Sequence, residues 1–327
     1  MQTRHRNRWV ASALISLCFM LCACSSEPKP PDNRPDESAT QDSNSAGSRD
    51  ATPQVLVPEA GGTDIRQCDV ATIDASNASE GYIMADYTGD SSKVKLQICG
   101  PDAVTYTYNL HGGYEVFPLT AGSGNYTIGV YENISGNQYA TALNEQMTIT
   151  IKNEFGPYLY PNQYVNFTAQ SQVVNKAQAL AASADSDIDV VTSVYNYIID
   201  NISYDYDKAK SVTSGYLPDV DTVLSSQKGI CFDYAAVMTA MLRSQRIPTR
   251  LEVGYMGDVY HAWISIYTKE TGWVNGIIKF DGKNWELMDP TFASTSKSPK
   301  NFTSENSIIL CTHIKIKAYL LKGIYPR

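Results

Sequence analysis

The chain has 327 residues, 43% of them apolar, 18% charged and 10% aromatic, which is enough apolar material for two ordinary domains and excludes global disorder. Its 26 basic and 34 acidic residues leave a net charge of −8 and a pI near 5.1, so the phosphate attraction behind most nucleic-acid binding has no source and no nucleic-acid partner is expected. Seven cysteines, at positions 18, 22, 24, 68, 99, 231 and 311, are too few for a disulfide scaffold and sort into separate chemical roles.

Residues 1–9 carry Arg4, Arg6 and Arg8 and no acid, and an apolar run over 10–23 follows. This is the pattern of an export signal. The run falls short of the roughly 20 residues a membrane-spanning helix needs. Its ending, Leu21-Cys22-Ala23-Cys24, resembles the lipobox of bacterial lipoproteins, which implies cleavage after Ala23 and lipid on Cys24. Residues 1–23 therefore read as a lipoprotein signal peptide, with a plain secretory signal as the alternative. Residues 24–60 are rich in Ser, Pro, Asp and Asn, with almost nothing apolar before Val55; they read as a disordered tether with a coil reach of roughly 30 Å.

Over 61–153 short runs rich in Val, Ile, Thr and Tyr predict strands at 81–87, 93–99, 103–110, 114–119, 125–131 and 146–152, punctuated by turn sequences such as Cys-Gly-Pro-Asp and Ala-Gly-Ser-Gly. Such spacing, with no helical segment between, predicts an antiparallel β-sandwich. Cys68 and Cys99 both fall here, and outside the cytoplasm they either pair as a disulfide or stay as two buried free thiols. Residues 154–170, with Pro157, Pro161 and a run of aromatics, read as a rigid, packed interdomain hinge.

Residues 171–303 read as an α+β domain. A helix is predicted over 171–183, and a second starts at Asp187 as N-cap, with Ile188, Val191, Val194, Tyr195, Ile198, Ile199 and Ile202 along one apolar face. A third covers 234–242, and strands follow at 249–256, 260–268, 273–280 and 284–288. The overall expectation is a multidomain chain, a β-sandwich followed by an α+β domain, closed by an atypical tail over 304–327 that adds Cys311 and a basic cluster.

Reactive residues sit at element boundaries in the second domain. Gly229-Ile230-Cys231-Phe232 precedes the third helix, so Cys231 falls in its first turn, where the helix N-terminus favours a thiolate nucleophile. Of the four histidines, His261 alone lies in a predicted core strand of this domain, as Tyr260-His261-Ala262-Trp263. Asp289 follows in Asp289-Pro290-Thr291, placed to orient an imidazole. Taken singly, each also fits a structural role: a buried thiol, a satisfied core histidine, a turn.

Their joint order resembles the transglutaminase-like superfamily, whose papain-related core has Cys at a helix N-terminus, then His and Asp on consecutive strands. The matching text is G-I-C-F-D-Y-A, L-R-S-Q-R-I-P-T-R-L-E-V-G-Y, H-A-W, G-W and W-E-L-M-D-P-T-F, over about 185–295. The resemblance implies a transglutaminase-like, cysteine-proteinase-like domain with Cys231, His261 and Asp289 as catalytic triad, acting by acyl transfer or amide or peptide hydrolysis through a thioester. No metal or organic cofactor is implied, and C-x-x-C or H-E-x-x-H spacing is absent. Phe232 stands where animal transglutaminases have Trp, and Arg246 where the family usually has Gly. A second oxyanion donor is left open; Tyr204, Tyr206 and Tyr216 precede the nucleophile. The address implies a lipid-anchored position on the outer face of a bacterial membrane, with surface proteins or cell-wall peptides as substrates. The alternative is a non-catalytic surface binding module on the same fold, with Cys311 able to pair with Cys231 and silence it.

Overall fold

The computed structural model describes residues 46–256, 259–274, 278–280 and 285–287; Cys24, Asp289, Cys311 and the tail from 304 lie outside them. The first half of the described chain builds two antiparallel four-stranded sheets. One runs in the order β1-β2-β3-β6, from β1 (Ile65–Gln67), β2 (Ala71–Asp74), β3 (Tyr82–Tyr87) and β6 (Glu115–Pro118). The other runs β5-β4-β7-β8, from β4 (Val94–Cys99), β5 (Thr105–Leu110), β7 (Gly124–Ser135) and β8 (Gln138–Ile149). Alternation explains the burial: in β4, Val94, Leu96 and Ile98 point inward while Lys95 and Gln97 do not. Those three share one core cluster with Ile73, Ile83 and Phe117 of the other sheet. Burying each such side chain contributes about 1.5–3 kcal/mol.

The sequence does not announce the β1–β2 hairpin, because Arg66, Gln67, Cys68 and Asp69 break any apolar alternation. Strand β8 begins at Gln138, well before the expected 146, and pairs along nearly the whole of β7. The disulfide reading of Cys68 and Cys99 is corrected: both are free thiols. Cys68 is exposed beside the β1–β2 turn, and Cys99 ends β4 in the other sheet.

The segment after β8 packs tightly, with Tyr158, Val165 and Phe167 buried. A Cβ on Gly156 would stand 1.8 Å from the Glu80 carbonyl oxygen, so only glycine permits this approach. Helices α1 (Gln172–Ala181), α2 (Asp187–Asn201), α3 (Tyr206–Ser211), α4 (Val220–Ser226) and α5 (Cys231–Ser244) follow. Ser186, not Asp187, caps α2: its side chain accepts from Asp189 N–H, and the Asp189 carboxylate accepts from Ser186 N–H in return. The frame of the buried face shifts slightly, so that Val190 is buried and Ile188 only partly so. Helix α5 is buried from Asp233 to Ser244, as expected of a helix apolar on most sides.

Strands β11 (Thr249–Met256), β12 (Val259–Thr268) and β13 (Gly272–Val274) form an antiparallel sheet against α5. Strands β14 (Ile278–Phe280) and β15 (Trp285–Leu287) make a separate hairpin, and β9 (Ser203–Tyr204) pairs in parallel with β10 (Lys228–Gly229). The architecture is thus mixed, with antiparallel sheets dominating. Among the described residues no helix is long and apolar enough to cross a membrane.

The tether read over 24–60 overlaps a bonded segment. Gly47 N–H donates to the Ala182 carbonyl at 2.9 Å, Arg49 N–H to Ala184 at 3.1 Å and Gln54 N–H to Ser244 at 2.8 Å. The Arg49 guanidinium pairs with Asp187 at 2.7 Å, and Ala51 and Val55 pack on the helical core. Polar composition hides this segment because its hold comes from backbone groups and one arginine, not from an apolar stripe.

Candidate active site

Cys231 is the first residue of α5, half-buried, with Ile230 as extended N-cap (φ −97, ψ 176). Its own N–H is one of the helix's four leading donors that have no partner within the helix. The β9–β10 pairing fixes the approach: Tyr204 lies opposite Gly229 in register, and Asp205 N–H donates to the Gly229 carbonyl at 2.9 Å. That register sets Tyr204 beside Cys231. Burial, then the nearby Cys231 thiol, pushes the Tyr204 phenol above its ordinary value, so it stays protonated and able to donate.

The first turn of α5 is held by Asp233, which is fully buried. Its carboxylate accepts from Ile230 N–H at 2.8 Å, from Lys208 Nζ at 2.7 Å and from the Tyr216 hydroxyl at 2.5 Å. Lys208 Nζ also donates to the Tyr216 oxygen at 2.6 Å and sits 4.3 Å from the Tyr216 ring centroid. Burial, reinforced by Asp233, drives the Tyr216 phenol far above its usual range. Gly229 is required here, since a Cβ would lie 2.7 Å from that of Asp233.

Sequence reasoning missed this cluster. The signal was an acid two residues beyond Cys231, in G-I-C-F-D; its partners lie 25 and 17 residues earlier and follow no fixed spacing. Phe232 meets an aromatic wall, with Tyr164 and Tyr216 ring centroids at 5.6 and 6.3 Å.

His261 is 5% exposed on β12, paired in register with Gly254 of β11. The chain leaves α5 through a tight turn in which Arg243 Nε and Nη2 donate to the Thr249 carbonyl at 3.1 and 2.9 Å. The C-terminal end of α5 thus meets the start of β11, and the strand runs back along the helix. An eight-residue strand and a fourteen-residue helix span similar lengths, on the order of 20–25 Å. An antiparallel return over such a length would carry Gly254, and His261 opposite it, toward the Cys231 end of α5.

Along β12, Ala262, Ile264 and Ile266 enter the core with α5. His261 belongs to the alternate set with Trp263, whose ring stacks at 6.5 Å and 24°. A Cβ on Gly254 would stand 2.9 Å from the Trp263 ring, so glycine there makes room for the indole. Cys231 opens α5 and His261 lies on β12, which packs against α5, while Asp289 lies outside the described residues. Of the three tyrosines, Tyr204 borders Cys231, Tyr216 is committed to Asp233, and Tyr206 is 59% exposed and packs edge-on against Tyr204 at 4.9 Å. Among the described residues no group of three or more His, Cys, Asp and Glu is placed to hold a metal.

Residues 174–276 match the family model of the transglutaminase-like superfamily. A UPF0252 protein of Methanocaldococcus jannaschii is 31% identical over 97 residues, covering 26% of this chain and 27% of that protein. The uncharacterized Bacillus subtilis protein YebA is 25% identical over 206 residues, covering 56% of this chain and 25% of its own length. The chain thus spans about a quarter of these curated relatives. A solved structure of a candidate cysteine protease from Cytophaga hutchinsonii aligns over 70% of this chain and 69% of its own, with 16% identity and a TM-score of 0.34.

Proposed function

Taking residues 174–276 as a transglutaminase-like domain, we propose that the chain is a cysteine enzyme performing acyl transfer, or amide or peptide hydrolysis, through a thioester on Cys231. The observation that carries this reading is the half-buried thiol at the first residue of the buried helix α5, with His261 buried on β12 of the sheet that packs against this helix. Cys231 Sγ attacks the carbonyl carbon and His261 takes the thiol proton. The tetrahedral intermediate collapses with loss of the amine, to which His261 returns the proton, and water or a second amine then resolves the thioester. Cys231 N–H and the Tyr204 hydroxyl would donate to the oxyanion, and Asp289 would hold the imidazole in the required tautomer. The two four-stranded sheets are proposed to form a β-sandwich carried with this domain. Cys24 is proposed as the lipid anchor on the outer face of a bacterial membrane, with surface proteins or cell-wall peptides as substrates.

The test is iodoacetamide alkylation of the full chain at pH 6 with peptide mapping, comparing wild type with His261→Ala. The expected result is fast labelling at Cys231, slowed about tenfold or more in the variant. Labelling of Cys231 no faster than that of exposed Cys68, in both proteins, would overturn the reading in favour of a non-catalytic binding module. A glutamine peptide supplied with a tagged primary amine then separates transferase from hydrolase, by tag incorporation against simple deamidation.

A further inference from the structure

We infer that Lys208 and Tyr216 are positioning residues for the Cys231 nucleophile: they fix the Asp233 carboxylate and cancel its charge, so that the helix start can carry a thiolate beside it. The inference rests on the thioester reading of Cys231.

Asp233 cannot simply be dispensed with, because its Oδ2 accepts the Ile230 N–H at 2.8 Å at the very start of the helix. Yet a buried carboxylate two residues from the nucleophile opposes a second negative charge there. Lys208 supplies the matching cation at 2.7 Å on the same oxygen, and Tyr216 supplies a hydroxyl at 2.5 Å on the other. The ammonium is not an incidental surface group. It comes from a six-residue helix, α3, with no buried residue of its own, and is fixed between the Asp233 oxygen and the Tyr216 ring.

Among the described residues, the other ionisable groups around this turn include Tyr204 on β9, Asp205 as N-cap of α3, Tyr206 on α3, Asp219 ahead of α4, Lys228 on β10, Tyr234 on α5 and His261 on β12. None of these replaces Lys208 as the ammonium in ion-pair contact with Asp233.

The experiment is the pH profile of Cys231 alkylation in the full chain, read by peptide mapping, with thermal unfolding as a check on each variant. In Lys208→Met the midpoint pH is expected to rise by about one unit, making labelling at pH 6 roughly tenfold slower. Lys208→Arg should stay close to wild type, Asp233→Asn should move the midpoint down, and the Lys208→Met/Asp233→Asn double variant should return it towards wild type. A purely structural role would slow labelling in all variants without this sign pattern. An unmoved midpoint in Lys208→Met overturns the inference; should that variant not fold, an unmoved midpoint in Asp233→Asn does so. If wild-type Cys231 shows no preferential labelling at all, it is the thioester reading that fails.

Discussion

Gly229 and Arg246 show how single backbone positions set the ends of α5. At Gly229 the buried Asp233 side chain occupies the space a methyl would need, with a Cβ–Cβ distance of 2.7 Å. Gly229→Ala is therefore expected to cost about 1–3 kcal/mol and to slow Cys231 alkylation, as urea unfolding and peptide mapping would read; an alanine variant with wild-type stability would contradict the packing described. Arg246 adopts φ +66, the left-handed region where a side chain costs about 1–2 kcal/mol relative to glycine. The glycine usual at this position in the resembled family would avoid that strain. Arginine stays because its guanidinium donates to the Thr52 and Asp50 carbonyls of the N-terminal strap. Arg246→Gly is accordingly expected to gain backbone stability while speeding hydrogen exchange at Gln54, whose N–H bonds Ser244.

At the scale of elements, the loop around Asp74 couples the first sheet to pH. Asp74 is 3% exposed. Burial alone would raise its carboxyl, but the Ser76 hydroxyl and the Ser76 and Gly62 N–H groups outweigh burial and hold it below 3.8. A carboxylate lowered by folding lends stability above its unfolded value, which is lost as pH falls through the folded one. The stability gap between wild type and Asp74→Asn in urea unfolding should therefore shrink from pH 6 to pH 3. A gap that is constant across this range would show that the ionised form matters little.

Elements with a long apolar period were legible in the sequence: α2 and β4 follow from Val191, Val194, Ile198 and from Val94, Leu96, Ile98. Helices α3 and α4 were not, because each is a single short stretch whose evidence is one capping aspartate, Asp205 or Asp219, and caps without periodicity also mark turns. The place of Cys231 at a helix start was readable from Gly229-Ile230-Cys231, whereas the Lys208–Asp233–Tyr216 cluster depends on tertiary packing alone.

At the scale of the whole described chain, contacts run from the four-stranded sheets to α5. The Tyr164 ring meets Tyr108 of β5 tilted at 5.4 Å and Phe232 edge-on at 5.6 Å, and Gln163 donates to the Asn109 carbonyl at 2.6 Å. A Cβ on Gly215, one residue before Tyr216, would stand 2.7 Å from the Asn109 amide. Arg243 is buried and pairs with no carboxylate among the described residues, and burial lowers its guanidinium to about 9. Hydrogen bonds to Tyr160 at 2.6 Å and to Thr249 offset the desolvation. Arg243→Met leaves both carbonyls without these donors, and an expected loss of about 2–4 kcal/mol follows. Wild-type stability in that variant would mean that the connecting segment is held without the arginine.

The strap over 47–55 tests whether the end of the supposed tether belongs to the folded unit. Its contacts fall on the α1–α2 connection, at Ala182 and Ala184, and at the C-terminal end of α5, at Ser244 and Gln245. That end lies about 20 Å along the helix from Cys231, given 1.5 Å of rise per residue. Three backbone hydrogen bonds and the burial of Ala51 and Val55 should together contribute about 2–4 kcal/mol. A chain beginning at Asn44 should therefore melt like the full chain, and one beginning at Pro58 several degrees lower, while both alkylate Cys231 alike well below their melting temperatures. If the shorter chain loses nothing in melting temperature, the strap rests on the domain without stabilising it. If it loses Cys231 labelling instead, the strap supports the site at the far end of α5 and not merely the end it touches.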